Sequence, residues 1–243
     1  MDGADFGGPN GFDSDRAEAH TPMNSTDPVD LDFPLSQRQR ALAWSTKEQD
    51  RWTRGLDIAI SSTALIMLSP LLLAIALVVR ADRTGPALFR QRRYGRGGKC
   101  FEIYKFRTMK VMESSGAFTQ ARKNDPRVTW FGKFLRKSSL DELPQLLNVL
   151  KGDMSLVGPR PHPIPLDLQL AEQIPGYGNR FLTRPGITGL AQVRGFRGEI
   201  ESRDDVRGRI LNDILFARRR CVLLYMAIVV LTAIVVFFQS KAY

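Results

Sequence analysis

The chain has 243 residues, of which 43% are hydrophobic and 25% charged; these are globular values that exclude wholesale disorder, a collagen-like repeat and a disulfide scaffold. The formal net charge of +10 is unevenly spread, because residues 1–34 hold eight acids (Asp2, Asp5, Asp13, Asp15, Glu18, Asp27, Asp30, Asp32) against Arg16 and leave 34 Lys/Arg against 17 Asp/Glu in the remainder. So basic a body suits a polyanionic partner: nucleic acid, an anionic membrane surface or phosphorylated substrates.

Residues 1–46 are rich in Asp, Gly, Pro, Ser and Asn without apolar periodicity and read as a disordered acidic tail. The opening lacks the pattern of a secretory signal. The next unit, residues 47–83, contains an uncharged apolar run from Ile58 to Val79, long enough to cross a hydrocarbon core. Ser69-Pro70 lies at its middle, where the missing N–H and the ring clash of proline must bend or break a helix. Bases flank both ends (Lys47, Arg51 and Arg54 before; Arg80, Arg83 and Arg90 after), and basic residues prefer the cytoplasmic side. A re-entrant helix-break-helix satisfies both constraints, with a kinked spanning helix as the alternative.

Residues 84–221 are polar, mixed and punctuated by glycine and proline, and form the soluble domain. Ala87 to Arg90 and Cys100 to Phe106 alternate as short strands around a glycine-rich turn at Tyr94 to Gly98, a β-hairpin pattern. Residues 112–126 are loop-like, while Phe131 to Leu135 and Leu140 to Leu150 space their apolar residues as amphipathic helices. The last unit, residues 222–243, begins with seventeen uncharged residues, Val222 to Phe238. At about 25 Å this segment is marginal for a crossing, and it could span, lie in the interface or pack under the domain. Two cysteines, Cys100 and Cys221, give no disulfide framework and read as reduced thiols.

The densest chemical constellation is Arg136 to Gln145. Ser139 with Glu142 fits a capping box, and Pro144 is tolerated only near a helix start, so Asp141 and Glu142 are expected at a helix N-terminus. Such acids often serve only the cap and the dipole. Arg136 and Lys137 immediately upstream support a second reading beside it, in which orphan N–H groups and guanidinium form an anion site and a carboxylate placed there could attack phosphorus or hold a metal that neutralises phosphate charge. Gly158-Pro159-Arg160-Pro161 and Arg184-Pro185-Gly186 each mount an arginine on a rigid turn, suited to gripping phosphate through a fork of donors. Eight bases at residues 88–110, Lys105 and Arg107 among them, suit membrane headgroups first and substrate phosphate second. There is no Walker P-loop, no G-x-G-x-x-G after a strand, no zinc-type Cys/His spacing and no G-x-S-x-G. His162 stands alone and reads as a polar turn residue, so acid-base or nucleophilic work falls to carboxylates.

Taken together, Ser69-Pro70, Lys105-Phe106-Arg107-Thr108-Met109, Asp125-Pro126-Arg127-Val128-Thr129, Leu135-Arg136, Ser139 through Ser155, Gly158-Pro159-Arg160-Pro161 and Arg184 through Gly189 resemble the bacterial sugar transferases that are monotopic phosphoglycosyl transferases. The resemblance covers about residues 50–215. It implies an α+β, small membrane-associated catalytic domain with an N-terminal re-entrant membrane helix hairpin and interfacial helices. It further implies transfer of a hexose-1-phosphate from a UDP-sugar to undecaprenyl phosphate, giving undecaprenyl-diphosphate-sugar and UMP, on the cytoplasmic face of the bacterial inner membrane and among its lipids. Carried over, Asp141 is the nucleophile of a covalent phosphosugar intermediate. Glu142 serves Mg²⁺ with Asp141, and Arg136, Arg160 and Arg184, with Lys105 and Arg107, hold phosphates. Ser69-Pro70 breaks the membrane helix.

Gly158 to His162 with Gly195 to Glu199 resembles the exopolysaccharide branch that transfers glucose-1-phosphate, with galactose as the alternative sugar. No nucleic-acid motif is recognisable, and a homodimer is left open. The rivals are a membrane-tethered polyanion-binding protein without chemistry and a lipid-diphosphate phosphatase.

Overall fold

A computed structural model of the chain describes residues 32–37, 39, 42, 47–82, 85–110, 125–196 and 203–238. It mixes helix and strand around one long apolar helix, α1, Lys47–Ala81. Among the described residues, α1 is the one helix long and apolar enough to cross a membrane. It runs without interruption through Pro70, and the Ser69 hydroxyl donates to the Ile66 carbonyl at 2.8 Å. The predicted break is therefore not an interruption of the helix.

Both ends of α1 are tied to the same domain. Near its start, Arg54 donates to the carbonyls of Val149 and Leu150, the latter at 2.7 Å. One turn later the buried Asp57 accepts from Ser155 Oγ (3.0 Å), the Leu156 N–H (2.8 Å) and the Tyr225 hydroxyl (2.6 Å). Near its end, Ile75 and Val79 pack with Phe106 and Leu135. The intervening turns expose Ile66, Met67, Leu71 and Leu73. Arg107, expected at substrate phosphate, closes the end of this helix instead: its Nη2 donates to the Val79 carbonyl at 2.7 Å and its Nε to the Pro86 carbonyl at 3.0 Å.

The predicted hairpin forms as β1, Leu88–Tyr94, antiparallel to β2, Cys100–Phe106. After it come α2 (Trp130–Ser138), a 3₁₀ turn at Leu140–Glu142, and α3 (Gln145–Lys151). Gly132 lets α2 lie on the strand exit, since a Cβ there would stand 2.1 Å from the Thr108 carbonyl oxygen. Asn148 of α3 acts as a bracket to β2, donating to the Glu102 carbonyl at 2.6 Å and accepting from the Tyr104 N–H at 2.9 Å. Ile103, Val149 and Met154 close the core between them. Strands β3 (Ser155–Val157) and β4 (Gly186–Thr188) pair in parallel. This pairing sets the two arginine turns back to back, with Gly158 N–H to the Thr188 carbonyl at 2.8 Å and Gly186 N–H to the Pro159 carbonyl at 2.9 Å. A Cβ on Gly186 would lie 2.0 Å from the Gly158 nitrogen, so the approach requires glycine.

The remaining helices are α4 (Ile164–Gln173), the short α5 (Leu190–Val193), α6 (Arg203–Arg219) and α7 (Val222–Phe238). Val222 to Phe238 packs one face on the domain: Tyr225 and Ile228 are buried with Val157, Leu190 and Phe216, while Leu223, Val230, Leu231 and Ile234 stay exposed.

Two expectations are corrected. Residues 32–36, counted within the tail, run extended over the domain, and Phe33 and Leu35 are buried with Tyr94, Tyr177 and Phe181. Two apolar side chains spaced for an extended segment suffice for this docking, with no helical period to announce it. Residues 1–31, and most of the predicted loop at 112–126, lie outside the described residues. The capping box at Ser139 is not made either. Ser139 takes a left-handed conformation (φ 58°) that ends α2, its N–H bonds the Arg136 carbonyl, and its side chain caps nothing.

Candidate active site

Because Ser139 is spent on terminating α2, the chain turns tightly through Leu140–Glu142 and releases both acids from capping duty. Glu142 then points to β2 and to the first arginine turn. Its Oε1 accepts from Lys105 Nζ at 2.9 Å, and Arg160 forks onto both of its oxygens, Nη1 to Oε2 at 3.0 Å and Nη2 to Oε1. The Asn148 bracket aligns β2 so that Lys105 reaches this point. Although burial alone would raise it, the charges of Arg160 and Lys105 hold the Glu142 carboxyl well below the usual carboxylate range.

Asp141 is different. It is buried, yet among the described residues its carboxylate accepts no hydrogen bond and joins no ion pair. Burial first and the Glu142 charge second push it up to about 6, while Lys105, Arg160 and Arg136 pull the other way. Among the described residues it is thus unpartnered, with the charges of Lys105, Arg160 and Arg136 acting on it. Arg136 contributes from α2, held by its Nε to Thr108 Oγ1 at 2.9 Å.

The site residues predicted from sequence therefore divide. Asp141, Glu142, Lys105, Arg160 and Arg136 converge. Arg107 caps α1 as described, and Arg184 is not brought to the two acids but donates through Nε to the Gly152 carbonyl at 3.0 Å. Ser69 and Pro70 are exposed on α1.

A buried polar network that the residue pattern did not reveal sets the position of Arg160. Arg180 donates through Nη2 to the Arg160 carbonyl at 2.5 Å and to Asp213 at 2.9 Å, and through Nη1 to Asp167 and the Tyr177 hydroxyl. His162 Nδ1 faces this Nη1 at 2.9 Å, and burial with the Arg180 charge pushes His162 down to about 3, so it is neutral and no proton carrier at pH 7. The only sequence-level signals are an arginine between aromatics (Tyr177, Phe181) and an Asp after Asn212.

Among the described residues, no three His, Cys, Asp or Glu side chains gather as a ready-made metal cage. The Asp141 oxygens are uncommitted hard donors, whereas both Glu142 oxygens are taken by Arg160 and Lys105. This donor set fits a magnesium ion that is shared with substrate phosphates, not one caged by protein alone.

The chain matches the bacterial sugar transferase family model over residues 48–239. It is 44% identical over 222 residues to the UDP-glucose:undecaprenyl-phosphate glucose-1-phosphate transferase of Escherichia coli K12, which covers 91% of this chain and 46% of that one. It is 51% identical over 161 residues to the protein of the same name from Caulobacter vibrioides, covering 66% of this chain and 60% of that one. It is also 42% identical over 195 residues to the exopolysaccharide production protein PSS of Rhizobium leguminosarum bv. phaseoli, covering 78% of this chain and 97% of that one. The chain thus spans less than half the length of the E. coli relative, and nearly all of the Rhizobium one.

Proposed function

The chain belongs to the bacterial sugar transferase family, and from that premise we propose that it moves glucose-1-phosphate from UDP-glucose to undecaprenyl phosphate, with release of UMP. The reading rests on one observation above the rest: Asp141 is a buried, unpartnered carboxylate inside a ring of cations that its neighbour Glu142 organises. An Asp141 oxygen attacks the sugar-bearing phosphorus, the bond to the bridging oxygen breaks, and UMP leaves with that oxygen. A phosphate oxygen of undecaprenyl phosphate then attacks the same phosphorus and frees Asp141. Two displacements allow the two bulky substrates to be handled in turn.

Arg160, Lys105 and Arg136 supply fixed positive charge where phosphate charge is redistributed, so little reorganisation is needed during transfer. Mg²⁺, expected from the sequence at Asp141 and Glu142, would be met here by Asp141, whose oxygens are uncommitted while those of Glu142 are held by Arg160 and Lys105, and when bound it neutralises phosphate charge. Glucose is favoured because relatives at 44% and 51% identity carry that sugar in their names.

The membrane placement in this reading is re-entrant. A spanning α1 would put Asp57 and Val79 on opposite faces of the bilayer, yet both touch one polar domain. With its ends on one side, α1 dips its exposed middle into a single leaflet, and Pro70 at the deepest point relieves the helix. The domain then meets a lipid phosphate at the headgroup plane on the cytoplasmic face of the inner membrane.

The test is turnover by purified protein with Mg²⁺, a panel of UDP-hexoses including UDP-galactose, and undecaprenyl phosphate. UDP-glucose should release UMP fastest, and Asp141→Asn should abolish release. Release of inorganic phosphate in place of UMP would overturn the reading.

A further inference from the structure

A cavity is lined by Thr53 of α1, Ser155 and Val157 of β3, Thr183 and Arg184 before β4, and the junction of α6 and α7, with neither Asp141 nor Glu142 among its lining residues. From that junction come Phe216, Arg220, Cys221 and Tyr225. We infer that this cavity binds the phosphate headgroup of an anionic membrane lipid, at a site separate from the Asp141 centre. The inference rests on the membrane placement proposed above and is independent of the chemistry assigned to Asp141.

Three observations carry it. The first is charge. Two guanidiniums, Arg184 and Arg220, line the cavity, and Arg218 and Arg219 stand exposed beside them. Among the described residues no carboxylate pairs with Arg184. The acid behind the wall, Asp57, has its Oδ1 bonded by Ser155, Leu156 and Tyr225.

The second is the division of the lining. Arg184, Arg220, Thr53 and Thr183 are polar, while Val157, Phe216 and Tyr225 are apolar. That combination suits an amphiphile with an anionic head and a hydrocarbon chain better than it suits a free inorganic anion.

The third is depth. The sequence neighbours of the lining residues point outward as large apolar groups, Trp52 beside Thr53 at 75% exposure and Leu223 beside Cys221 and Val222 at 81%. A tryptophan in that position marks the headgroup level. Uncovered apolar faces of α1 and α7 continue from there, through Ile58, Ile66, Val230 and Ile234, as the surface on which the lipid chain would lie. The carboxylate pair is absent from this lining.

Cys221 provides the reporter, because it lines the cavity and is exposed. In detergent-purified full-length Cys100→Ser protein, the rate of Cys221 labelling by a small maleimide is measured with phosphatidylglycerol, farnesyl phosphate, phosphatidylcholine or inorganic phosphate added. Phosphatidylglycerol and farnesyl phosphate should slow labelling at roughly tenfold lower concentration than phosphatidylcholine, and Arg220→Gln should remove that advantage while Arg220→Lys keeps part of it. Asp141→Asn should be protected as the parent is, which separates this site from the reaction. Stronger protection by farnesyl phosphate than by phosphatidylglycerol supports the site with a lipid phosphomonoester as occupant, and equal protection supports it with bulk anionic lipid. Thermal melts establish that each variant is folded; for a variant that is not, native mass spectrometry of the lipids retained by the parent protein is the second measurement, and anionic species should predominate. The inference is overturned if inorganic phosphate protects as well as the lipids, if phosphatidylcholine protects equally, or if folded Arg220→Gln is protected like the parent.

Discussion

Arg160 holds Glu142 by a fork, Nη1 to Oε2 at 3.0 Å and Nη2 to Oε1, while among the described residues Asp141, one residue earlier, accepts no hydrogen bond. Two adjacent acids are thereby given opposite characters, one neutralised by partners and one left available to react. The 3₁₀ turn makes this possible by sending successive side chains in different directions.

Loss of the fork should be costly for turnover. Arg160→Ala removes both charge-assisted bonds from a buried carboxylate and is expected to lower kcat by roughly a hundredfold. Arg160→Lys should recover little, because an ammonium cannot reproduce the planar two-point contact. Steady-state UMP release from the two variants, with circular dichroism to establish folding, is the check.

Asn148 should be a stability residue. Asn148→Ala leaves the part-buried Tyr104 N–H and Glu102 carbonyl without their side-chain partner, at a total cost of about 1–3 kcal/mol. Denaturant titration should show a lower midpoint. Lys105 should also lose its alignment with Glu142, so activity falls further than folding alone explains.

The pH dependence of stability should contain a His162 contribution. The folded state holds His162 down at about 3, below its ordinary 6.5, so the unfolded chain binds the extra proton first as the solution is acidified. The stability due to neutral His162 is fully present above pH 6.5 and is lost as pH falls through the window towards 3. His162→Gln should flatten the stability curve across that window, measured by thermal melts at stepped pH; an unchanged slope would contradict the assignment.

Topology is open to labelling. Single cysteines introduced at Arg51 and Arg80, both exposed, should react with a membrane-impermeant maleimide from the same face of inverted vesicles. Reaction from opposite faces would contradict re-entry and leave the contacts of Asp57 and Arg107 unexplained.

Much of this arrangement could be read from residue order, for local reasons. The hairpin of residues 88–106 is signalled by alternation around a glycine turn, and the arginine turns by their prolines and glycines. The pairing of Asp141 with Glu142 is visible as a motif, but the capping box is misleading, because Ser139 is taken up in the left-handed turn that ends α2. Charge type was legible at Arg107 and Arg184, but their partners were not: what a guanidinium grips depends on which carbonyls the fold brings near. Asp57 sits just before the apolar run and looks like a flanking charge, yet its acceptors' donors come from Ser155 and Tyr225, far along the chain. Phe33 and Leu35 illustrate the same limit, since a two-residue anchor carries no period.

The most direct measurement is a search for the covalent intermediate. Protein incubated with Mg²⁺ and UDP-glucose, without lipid acceptor, is quenched in acid and examined by intact-mass and peptide mass spectrometry. The expected result is an added phosphohexose on the peptide containing Asp141, released as lipid-linked product when undecraprenyl phosphate is supplied before the quench, and absent from Asp141→Asn. Full turnover with no adduct under any quench, or an adduct that persists in Asp141→Asn, would contradict the assignment of Asp141 as the attacking group.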